Sequence, residues 1–326
     1  MSSRSREPSS WTCSRASTPR LEAKRSRSST PLAASSRSRL RPRSGTSTAC
    51  TRPSSGRWRL PRPHRSSRSC CGYPARRGSG QARNSGPPLL APVRVGELKG
   101  RFFVVAHRGA SGYEPENTLR AVRRALEMGV DAVEVDVRLS RDGVPVVIHD
   151  ETVDRTTNGR GLVRSMSVEE LRRLDAGKGE RIPLLSEVLE EVKGRCVLFA
   201  ELKEVDAAEP ALKLVEAAGM LDSVLFISFE QEALAAVKRL APRSHVGLIY
   251  AKPSDGIVAA KHLGCEFVLP HYRLATEKAV AFAHRMGLLV VAWTVDDAET
   301  AAELKRRGVD GIASNYPDRI LKLREA

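Results

Sequence analysis

The sequence predicts an α/β fold, a (β/α)8 TIM barrel, from about residue 98 to residue 326. Short apolar runs alternate there with amphipathic helical patterns, which is typical of parallel strands joined by helical crossovers. Nine such runs are present, but a helical pattern follows only eight of them. A turn signal joins the remaining run to its neighbour, so setting one strand aside leaves the eight strands and eight helices of a closed barrel.

The predicted strands and helices were placed from the period of the apolar residues. The nine predicted strands cover residues 102–107, 132–137, 144–149, 197–202, 224–229, 245–250, 266–270, 288–295 and 310–314. The eight predicted helices cover roughly residues 117–128, 185–193, 207–218, 230–240, 254–263, 275–286, 297–307 and 317–324.

The step from residue 137 to residue 144 determines how the strands are counted. It is too short for a parallel crossover, which usually needs a dozen or more residues. It also contains Asp142-Gly143, the dipeptide favoured in two-residue hairpin turns. We therefore predict that residues 144–149 fold back antiparallel on the second strand through a two-residue turn, in a register that places Asp136 opposite His149.

Two segments lie outside the repeating units. Residues 151–181 form a predicted small insertion between the second strand and its helix, with the character of a lid. Residues 1–95 carry 21 Lys and Arg against 2 Asp and Glu, whereas the remaining residues carry 33 against 36, so the net charge of +16 originates in this segment. Rich in Ser and Pro and without a helical or strand period, it is predicted to be a disordered basic N-terminal arm.

The basic arm can be interpreted in two ways. Its Arg-Ser repeats are compatible with phosphate contacts to nucleic acid, with the barrel then secondary. The reading that we favour is a non-native extension translated from an upstream start, and we expect no specific nucleic-acid partner. We also expect no secretory signal and no transmembrane segment, because no apolar run is long enough. The six Cys follow no disulfide or zinc spacing, which fits a cytoplasmic protein best.

Polar residues fall at the ends of three predicted strands. In TIM-barrel enzymes the reacting groups lie at the C-terminal ends of the strands, so we expect these side chains to converge on one mouth. They are His107 and Arg108 after the first strand, Glu134 and Asp136 on the second, and Glu201 and Lys203 on the strand that follows the insertion.

Three carboxylates at one mouth would repel one another and lose solvation, which a divalent cation resolves. An all-oxygen site suits Mg²⁺ or Ca²⁺ better than Zn²⁺. The alternative is that Glu134 and Asp136 pair with Arg138 or another surface arginine, but their face of a central barrel strand should not meet solvent.

Two histidines, His107 and His149, flank the predicted carboxylate cluster. A pair of side chains that titrate near neutral pH can remove a proton from a nucleophile and deliver one to a leaving oxygen. Arg108 and Lys203 add fixed positive charge that can hold a phosphate. These residue types point to metal-assisted phosphodiester chemistry.

The run from residue 104 to residue 159 resembles the start of the glycerophosphodiester phosphodiesterase family. It contains, in order, the elements HRG, PENT, E-x-D, a hairpin, HD and DRTTNG. Weaker matches follow in FAELK, ISF and WTVDD, so the resemblance covers roughly residues 103–322. The ordered set is highly specific, although HRG or HD alone would mean little.

The resemblance implies hydrolysis of a small-molecule glycerophosphodiester to sn-glycerol 3-phosphate and an alcohol on a metal-dependent barrel. A mechanism similar to that proposed for the family has a glycerol hydroxyl attack phosphorus, form a cyclic phosphate and leave water to open it. By position, the resemblance implies metal ligands Glu134, Asp136 and Glu201, acid and base His107 and His149, phosphate contacts Arg108 and Lys203, a polar group Glu116 near the metal or glycerol, and substrate-wall residues Phe229 and Trp293.

The sequence departs from the family's pattern at two places. Ser314-Asn315 precedes Tyr316-Pro317, where the family commonly has Thr-Asp before the Pro, and Asp296 stands where Asn is common. Both departures bear on specificity for the leaving group. They leave the predicted metal and histidine set intact.

Two alternative functions and four properties of the protein stay open. The nearest rival activity is that of a lysophospholipase D-like phosphodiesterase on the same barrel, but the insertion has few apolar residues for an acyl chain. A catalytically inactive ligand-binding barrel is a further alternative, although every predicted metal and histidine position is filled. The sequence does not identify the alcohol, the choice between Mg²⁺ and Ca²⁺, the histidine that acts first as base, or the oligomeric state.

Overall fold

The predicted (β/α)8 barrel is confirmed in the computed structural model, which describes residues 93–253 and 255–324. Eight parallel strands follow one another around the barrel, and the first of them pairs with both the second and the last, which closes the sheet. The N-terminal arm was predicted to be disordered. Its residues 1–92 lie outside the described ranges.

The strands and helices alternate along the chain from residue 103 onward. The strands are β1 Phe103–Ala106, β2 Ala132–Leu139, β3 Pro145–Val147, β4 Val197–Leu202, β5 Val224–Ser228, β6 His245–Tyr250, β7 Phe267–Pro270, β8 Leu289–Ala292 and β9 Gly311–Ser314. The helices are α1 Leu119–Met128, α2 Val168–Leu171, α3 Leu185–Val192, α4 Ala208–Ala217, α5 Gln231–Leu240, α6 Gly256–His262, α7 Glu277–Arg285, α8 Ala298–Arg306 and α9 Pro317–Leu321.

The two faces of β2 show how the barrel sorts its side chains. Val133, Val135 and Val137 belong to the apolar layer between the strands and the surrounding helices. Glu134 and Asp136 alternate with them and are also buried, so they point to the other side, into the barrel. This confirms that the two carboxylates share the interior face.

A short 3₁₀ segment, Val95–Leu98, contributes to the interior of the barrel. Its Val95 and Leu98 are buried in one apolar cluster with Phe103 and Ala132, the first residues of β1 and β2. The segment therefore seals the N-terminal end of the barrel, opposite the end where chemistry is expected. Val95 thus belongs to the packed structure, although the sequence analysis assigned it to the basic arm.

Strand β3 forms the predicted antiparallel hairpin with β2, but the predicted two-residue turn is wrong. The amide of Ser140 donates to the carbonyl of Val144 (3.0 Å), which leaves a loop of three residues. Its last residue, Gly143, has φ of +76°, the left-handed conformation that ends a three-residue hairpin loop and that glycine adopts without a steric cost.

The longer loop shifts the hairpin register by one residue. Val137 pairs with Val147, and the amide of Ile148 donates to the carbonyl of Asp136 (3.0 Å). Asp136 therefore lies opposite Ile148, and the prediction that it faces His149 is wrong. His149 lies one residue further along the chain, where its carbonyl accepts a hydrogen bond from Nε of Arg138 (2.8 Å).

The hairpin occupies an edge of β2 that β1 leaves open. On one edge, β2 pairs with β4 from Ala132 to Val137. On the other edge, β1 reaches only Ala132 and Val133, and β3 pairs with the stretch from Val137 to Leu139. The short first strand thus makes room for β3 at the C-terminal mouth of the barrel.

The predicted insertion between the second strand and its helix has its own small core beside β3. The core contains Val146, Ile148, Val153, Val163, Leu171, Ala176 and Ile182. The short helix α2 begins with a capping box in which Ser167 and Glu170 satisfy each other's backbone amides. The insertion is therefore packed on the hairpin that carries His149.

No helix within the described ranges combines the length and the apolar character needed to cross a membrane. Cys196 and Cys265, the cysteines that lie in these ranges, are both buried and unpaired. Cys196 directly precedes β4, and Cys265 lies two residues before β7.

Closure of the barrel between β1 and β9 predicts a steric effect at Gly311. A Cβ at this position would lie 2.3 Å from Cε2 of Phe103, its register neighbour. Gly311→Ala is expected to lower the free energy of unfolding by about 1–3 kcal/mol, since an overpacked core must shift to relieve the clash. Urea denaturation measures this change. Gly96→Ala is the control, because a Cβ there meets nothing within 4 Å, and equal effects of the two changes would contradict the interpretation.

Candidate active site

Three buried carboxylates meet at the C-terminal mouth of the barrel. Glu134 and Asp136 project from β2, and Glu201 lies beside Asp136 in the register between β2 and β4. One oxygen from each of the three lies within 4.8 Å of the others, and all three side chains are buried. The structure therefore brings the predicted metal ligands together.

Two cationic side chains contact this acidic cluster. Nε of Arg108 lies 3.2 Å from Oδ2 of Asp136, and Nζ of Lys203 lies 2.8 Å from Oδ1 of the same carboxylate. Lys203 also pairs with Glu201. Two positive charges thus face three carboxyl groups.

The three carboxyl groups differ in their pKa values, because two positive charges do not balance three carboxylates. Burial opposes ionisation of Asp136, but Lys203 and Arg108 overcome it and lower its pKa to about 2. Burial, reinforced by the charge of Asp136, raises the pKa of Glu134 to about 8 and that of Glu201 to about 7. The environment of the cluster therefore favours the charged form of Asp136, whereas burial and the charge of Asp136 disfavour ionisation of Glu134 and Glu201.

The cluster has the donors that a hard divalent cation requires. Oε1 of Glu134 is buried and has no hydrogen-bond partner among the described residues, so it is a desolvated oxygen that a cation would satisfy. The donor set consists of carboxylate oxygens, which Mg²⁺ and Ca²⁺ prefer. Glu134, Asp136 and Glu201 together fit such an ion.

The backbone around the cluster is held in unusual conformations. Arg108 has φ of +55°, which is uncommon for a residue with a side chain, and its amide donates to Oε2 of Glu134 (2.8 Å). Asn117 has φ of +58° and donates from Nδ2 to Oδ2 of Asp136 (2.7 Å). Both residues adopt a strained left-handed backbone conformation, and in that conformation each donates a hydrogen bond to a carboxylate of the cluster.

Asn117 was not singled out in the sequence analysis. The available signal was the PENT element, in which Asn117 directly precedes Thr118, the N-cap of α1. Its side chain also accepts a hydrogen bond from the amide of Asp136 (3.2 Å) through Oδ1. Asn117 therefore orients the central carboxylate and the strand that carries it.

The two predicted histidines line the same pocket as Glu134 and Glu201. Nε2 of His107 lies 3.9 Å from Oε2 of Glu134, and its Nδ1 lies 2.8 Å from Oδ1 of Asn315. Burial lowers the pKa of His107, and the charge of Arg108 lowers it further.

His149 enters from the hairpin side, and its Nδ1 lies 2.6 Å from Oδ1 of Asp150. Burial lowers the pKa of His149, and Lys203 adds to this effect, while Asp136 and Asp150 work in the opposite direction. Both histidines thus have Nδ1 engaged with an oxygen.

Glu116 lies one side chain away from the carboxylate cluster, because it binds Arg108, which in turn contacts Asp136. It is absent from the pocket lining. Its carboxylate accepts a hydrogen bond from Nη1 of Arg108 (3.0 Å) and two from Arg155 (2.8 Å each). Arg155 also binds Asp150 (2.7 Å and 3.0 Å). Glu116 therefore supports Arg108, and Arg155 links it to the partner of His149.

The pocket is lined by both charged and apolar side chains. It holds about 440 Å³ of empty space, part of it open to solvent, and Phe229 and Trp293 are among its apolar lining residues. Their rings pack edge to face with centroids 5.6 Å apart, and Nε1 of Trp293 donates to the carbonyl of Leu269 (2.7 Å). Both predicted wall residues thus lie in the pocket, and Trp293 is held in place by a backbone hydrogen bond.

Comparisons with known proteins give a consistent result. The model of the glycerophosphoryl diester phosphodiesterase family matches residues 107–319. A glycerophosphodiester phosphodiesterase from Caldanaerobacter subterraneus is 37% identical over 245 residues, which cover 68% of this chain and 98% of that protein. One from Bacillus subtilis is 31% identical over 267 residues, covering 73% of this chain and 89% of that protein.

Solved structures agree with these sequence relatives. A phosphodiesterase from Oleispira antarctica, in complex with the product sn-glycerol-3-phosphate, superposes with a TM-score of 0.66 at 33% identity and covers 69% of this chain and 98% of its own. A glycerophosphodiester phosphodiesterase from Agrobacterium tumefaciens has a TM-score of 0.62 at 32% identity and covers 68% of this chain and 99% of its own.

The carboxylate cluster predicts a measurable affinity for a divalent cation. Glu134→Gln, Asp136→Asn and Glu201→Gln are each expected to weaken binding of Mg²⁺ or Ca²⁺ by at least about 10-fold, because each removes a charged oxygen donor. Isothermal titration calorimetry measures the affinity. Glu216→Gln, at an exposed carboxylate, serves as the control. Unchanged affinity in all three cluster variants would rule the site out.

Proposed function

This chain belongs to the glycerophosphoryl diester phosphodiesterase family and is a glycerophosphodiester phosphodiesterase, and on that premise we propose a metal-dependent hydrolysis that releases sn-glycerol 3-phosphate and an alcohol. The observation that carries the proposal is that two histidines, two cationic side chains and two of the three clustered carboxylates line one pocket, with the third carboxylate, Asp136, within 4.8 Å of the other two. The product bound to the Oleispira antarctica structure supports the choice of substrate class.

Glu134, Asp136 and Glu201 hold the divalent cation, Mg²⁺ or Ca²⁺, in this proposal. The bound cation supplies Lewis-acid stabilisation of charge that develops on the phosphodiester oxygens. Arg108 and Lys203 lie against the same carboxylates and are held there by Asp136. Their positive charges contact the phosphate and keep it over the cluster.

His107 and His149 divide the proton transfers. Each has Nδ1 committed to a neighbouring oxygen, Asn315 for the first and Asp150 for the second, so each presents Nε2 for proton transfer in the pocket. One imidazole accepts the proton of the attacking glycerol hydroxyl, and the other protonates the alcohol oxygen as its bond to phosphorus breaks. A water molecule then opens the resulting cyclic phosphate with the proton roles reversed.

The apolar lining of the pocket receives the carbon skeleton of the substrate. Phe229 and Trp293 offer aromatic surface in the same pocket as the charged groups, and a glycerol or alcohol carbon chain gains burial against it. Glu116 acts one step away from the substrate by holding Arg108.

Turnover of a substrate panel tests the reaction. We expect release of glycerol 3-phosphate from glycerophosphocholine and related diesters, and we expect a chelator to reduce it by at least about 100-fold. Enzymatic assay of glycerol 3-phosphate measures both. Release that persists unchanged with chelator would contradict the metal site. Faster turnover of lysophosphatidylcholine than of glycerophosphocholine would favour a lysophospholipase D-like activity instead.

Replacement of each histidine tests the acid and base roles. His107→Ala and His149→Ala are expected to keep the fold and to lower kcat by about 10²–10⁴-fold, the usual contribution of a positioned proton carrier. His262→Ala, on the exposed side of α6, should turn over at the wild-type rate. Steady-state kinetics with circular dichroism on each variant separates loss of chemistry from loss of structure. Near-normal turnover in either site variant would contradict the proposed acid and base roles.

A further inference from the structure

The two positions at which the sequence departs from the family's pattern are in direct contact. Asp296 follows β8, and Asn315 follows β9. Nδ2 of Asn315 donates to Oδ2 of Asp296 (2.8 Å), and the backbone amide of Asn315 donates to Oδ1 (2.8 Å). The hydroxyl of Ser314 donates to the same Oδ1 (3.0 Å). Three donors therefore fix the carboxylate of Asp296 against the turn that carries Asn315.

The carboxylate determines which way the side chain of Asn315 points. An ionised carboxylate only accepts hydrogen bonds, so the amide nitrogen of Asn315 must face it. Oδ1 of Asn315 is thereby turned to the opposite side. There it lies 2.8 Å from Nδ1 of His107 and 2.9 Å from the hydroxyl of Ser111.

The orientation of Asn315 in turn determines the tautomer of His107. An amide oxygen cannot donate a hydrogen bond, so Nδ1 of His107 must carry the proton in this contact. In the neutral ring Nε2 then has a lone pair, and it points to the pocket on the side of Glu134.

We propose that Asp296 and Asn315 form a positioning pair, which holds His107 as the tautomer with a proton on Nδ1 and presents an unprotonated Nε2 to the substrate. This inference rests on the proposed function, because it assigns the pair a purpose in proton transfer at His107. Neither residue lines the pocket, so each acts through His107 and not on the substrate.

The arrangement differs from that at the second histidine. Nδ1 of His149 contacts a carboxylate directly, at Asp150 (2.6 Å). At His107 an amide is interposed, so the negative charge lies one side chain further from the ring. The pair thus fixes the tautomer of His107 without placing a full negative charge against it.

A purely structural role for Asp296 is the competing explanation, since it also binds the backbone amide of Asn315. Asp296→Asn separates the two. The new side-chain nitrogen at position 296 would face Nδ2 of Asn315. The side-chain amide of Asn315 would then flip, so that two donors do not oppose each other. Its nitrogen would then donate to Nδ1 of His107 and move the imidazole proton to Nε2.

The closing experiment measures the tautomer and turnover in four proteins: wild type, Asp296→Asn, Asn315→Asp and the double variant in which the two side chains are exchanged. The ring ¹⁵N signals of neutral His107, identified by their loss in His107→Ala, report which nitrogen carries the proton. We expect a protonated Nδ1 in wild type and a protonated Nε2 in Asp296→Asn. For Asp296→Asn we expect kcat to fall by at least about 100-fold, as wrong-tautomer variants do, with KM changed by less than about 3-fold.

The exchanged double variant supplies the rescue. A carboxylate at position 315 accepts from Nδ1 of His107 and from the amide at position 296, so we expect Nδ1 protonation and kcat within about 10-fold of wild type, above both single variants. Asp297→Asn removes the same charge at the N-cap of α8 and should leave tautomer and kcat unchanged.

Three outcomes would overturn the proposal: a protonated Nε2 in neutral wild-type His107, an unchanged tautomer in Asp296→Asn, or a double variant no faster than the slower single variant. The wild-type spectrum tests the proposal even if a variant fails to fold. The ¹⁵N signals report the tautomer of His107 independently of any measurement of turnover. Normal activity of His107→Ala would therefore refute the proposed role of the histidine while leaving the tautomer result standing.

Discussion

The burial of three carboxyl groups on adjacent barrel strands is the constraint on which the rest of the site depends. Glu134, Asp136 and Glu201 stand where a barrel normally places apolar side chains, and their loss of solvation must be offset by charge and hydrogen bonds. Arg108, Lys203 and Asn117 supply part of this compensation through Asp136. The remaining imbalance is what the proposed divalent cation would offset, and the same cationic side chains line the pocket in which the substrate phosphate is proposed to bind.

Residues around the cluster form further ion pairs and hydrogen bonds on two sides of the site. On the hairpin side, Arg155 binds both Glu116 and Asp150. It therefore connects the residue that holds Arg108 to the residue that holds His149. On the closing side of the barrel, Asp296 and Asn315 support His107. Each histidine thus has its own set of partners, and the two sets come from opposite ends of the catalytic domain's sequence.

The sequence carried enough information to predict the barrel and most of the pocket. Strand and helix periods gave the correct number of barrel strands, because each β/α unit repeats the same local pattern. Glu134 and Asp136 were predictable as a pair, since their spacing of two places them on one face of β2. The hairpin register was not, because Asp142-Gly143 suits both a two-residue turn and the last two positions of a three-residue loop, and only the ladder distinguishes them.

The residues that the sequence analysis missed share one property, in that their partners are distant or belong to another strand end. Asn117 reaches Asp136, and Arg155 reaches Glu116 across 39 positions. Asn315 and Asp296 were visible only as departures from a pattern, with no indication that they contact each other. Such pairings depend on how the barrel closes, and no local period in the sequence encodes them.

The parallel pairing of β1 with β9 also has a consequence for biosynthesis. His107 and its partner Asn315 are 208 positions apart, and β1 has β9 as a neighbour along its whole length but touches β2 at only two residues. A nascent chain that has not yet released β9 from the ribosome therefore presents β1 with one edge unpaired and His107 without its acceptor. Glu134, Asp136 and Glu201 are synthesised before β9, and so are His149 and its partner Asp150, so among these side chains His107 is the one whose partner is synthesised after all the others.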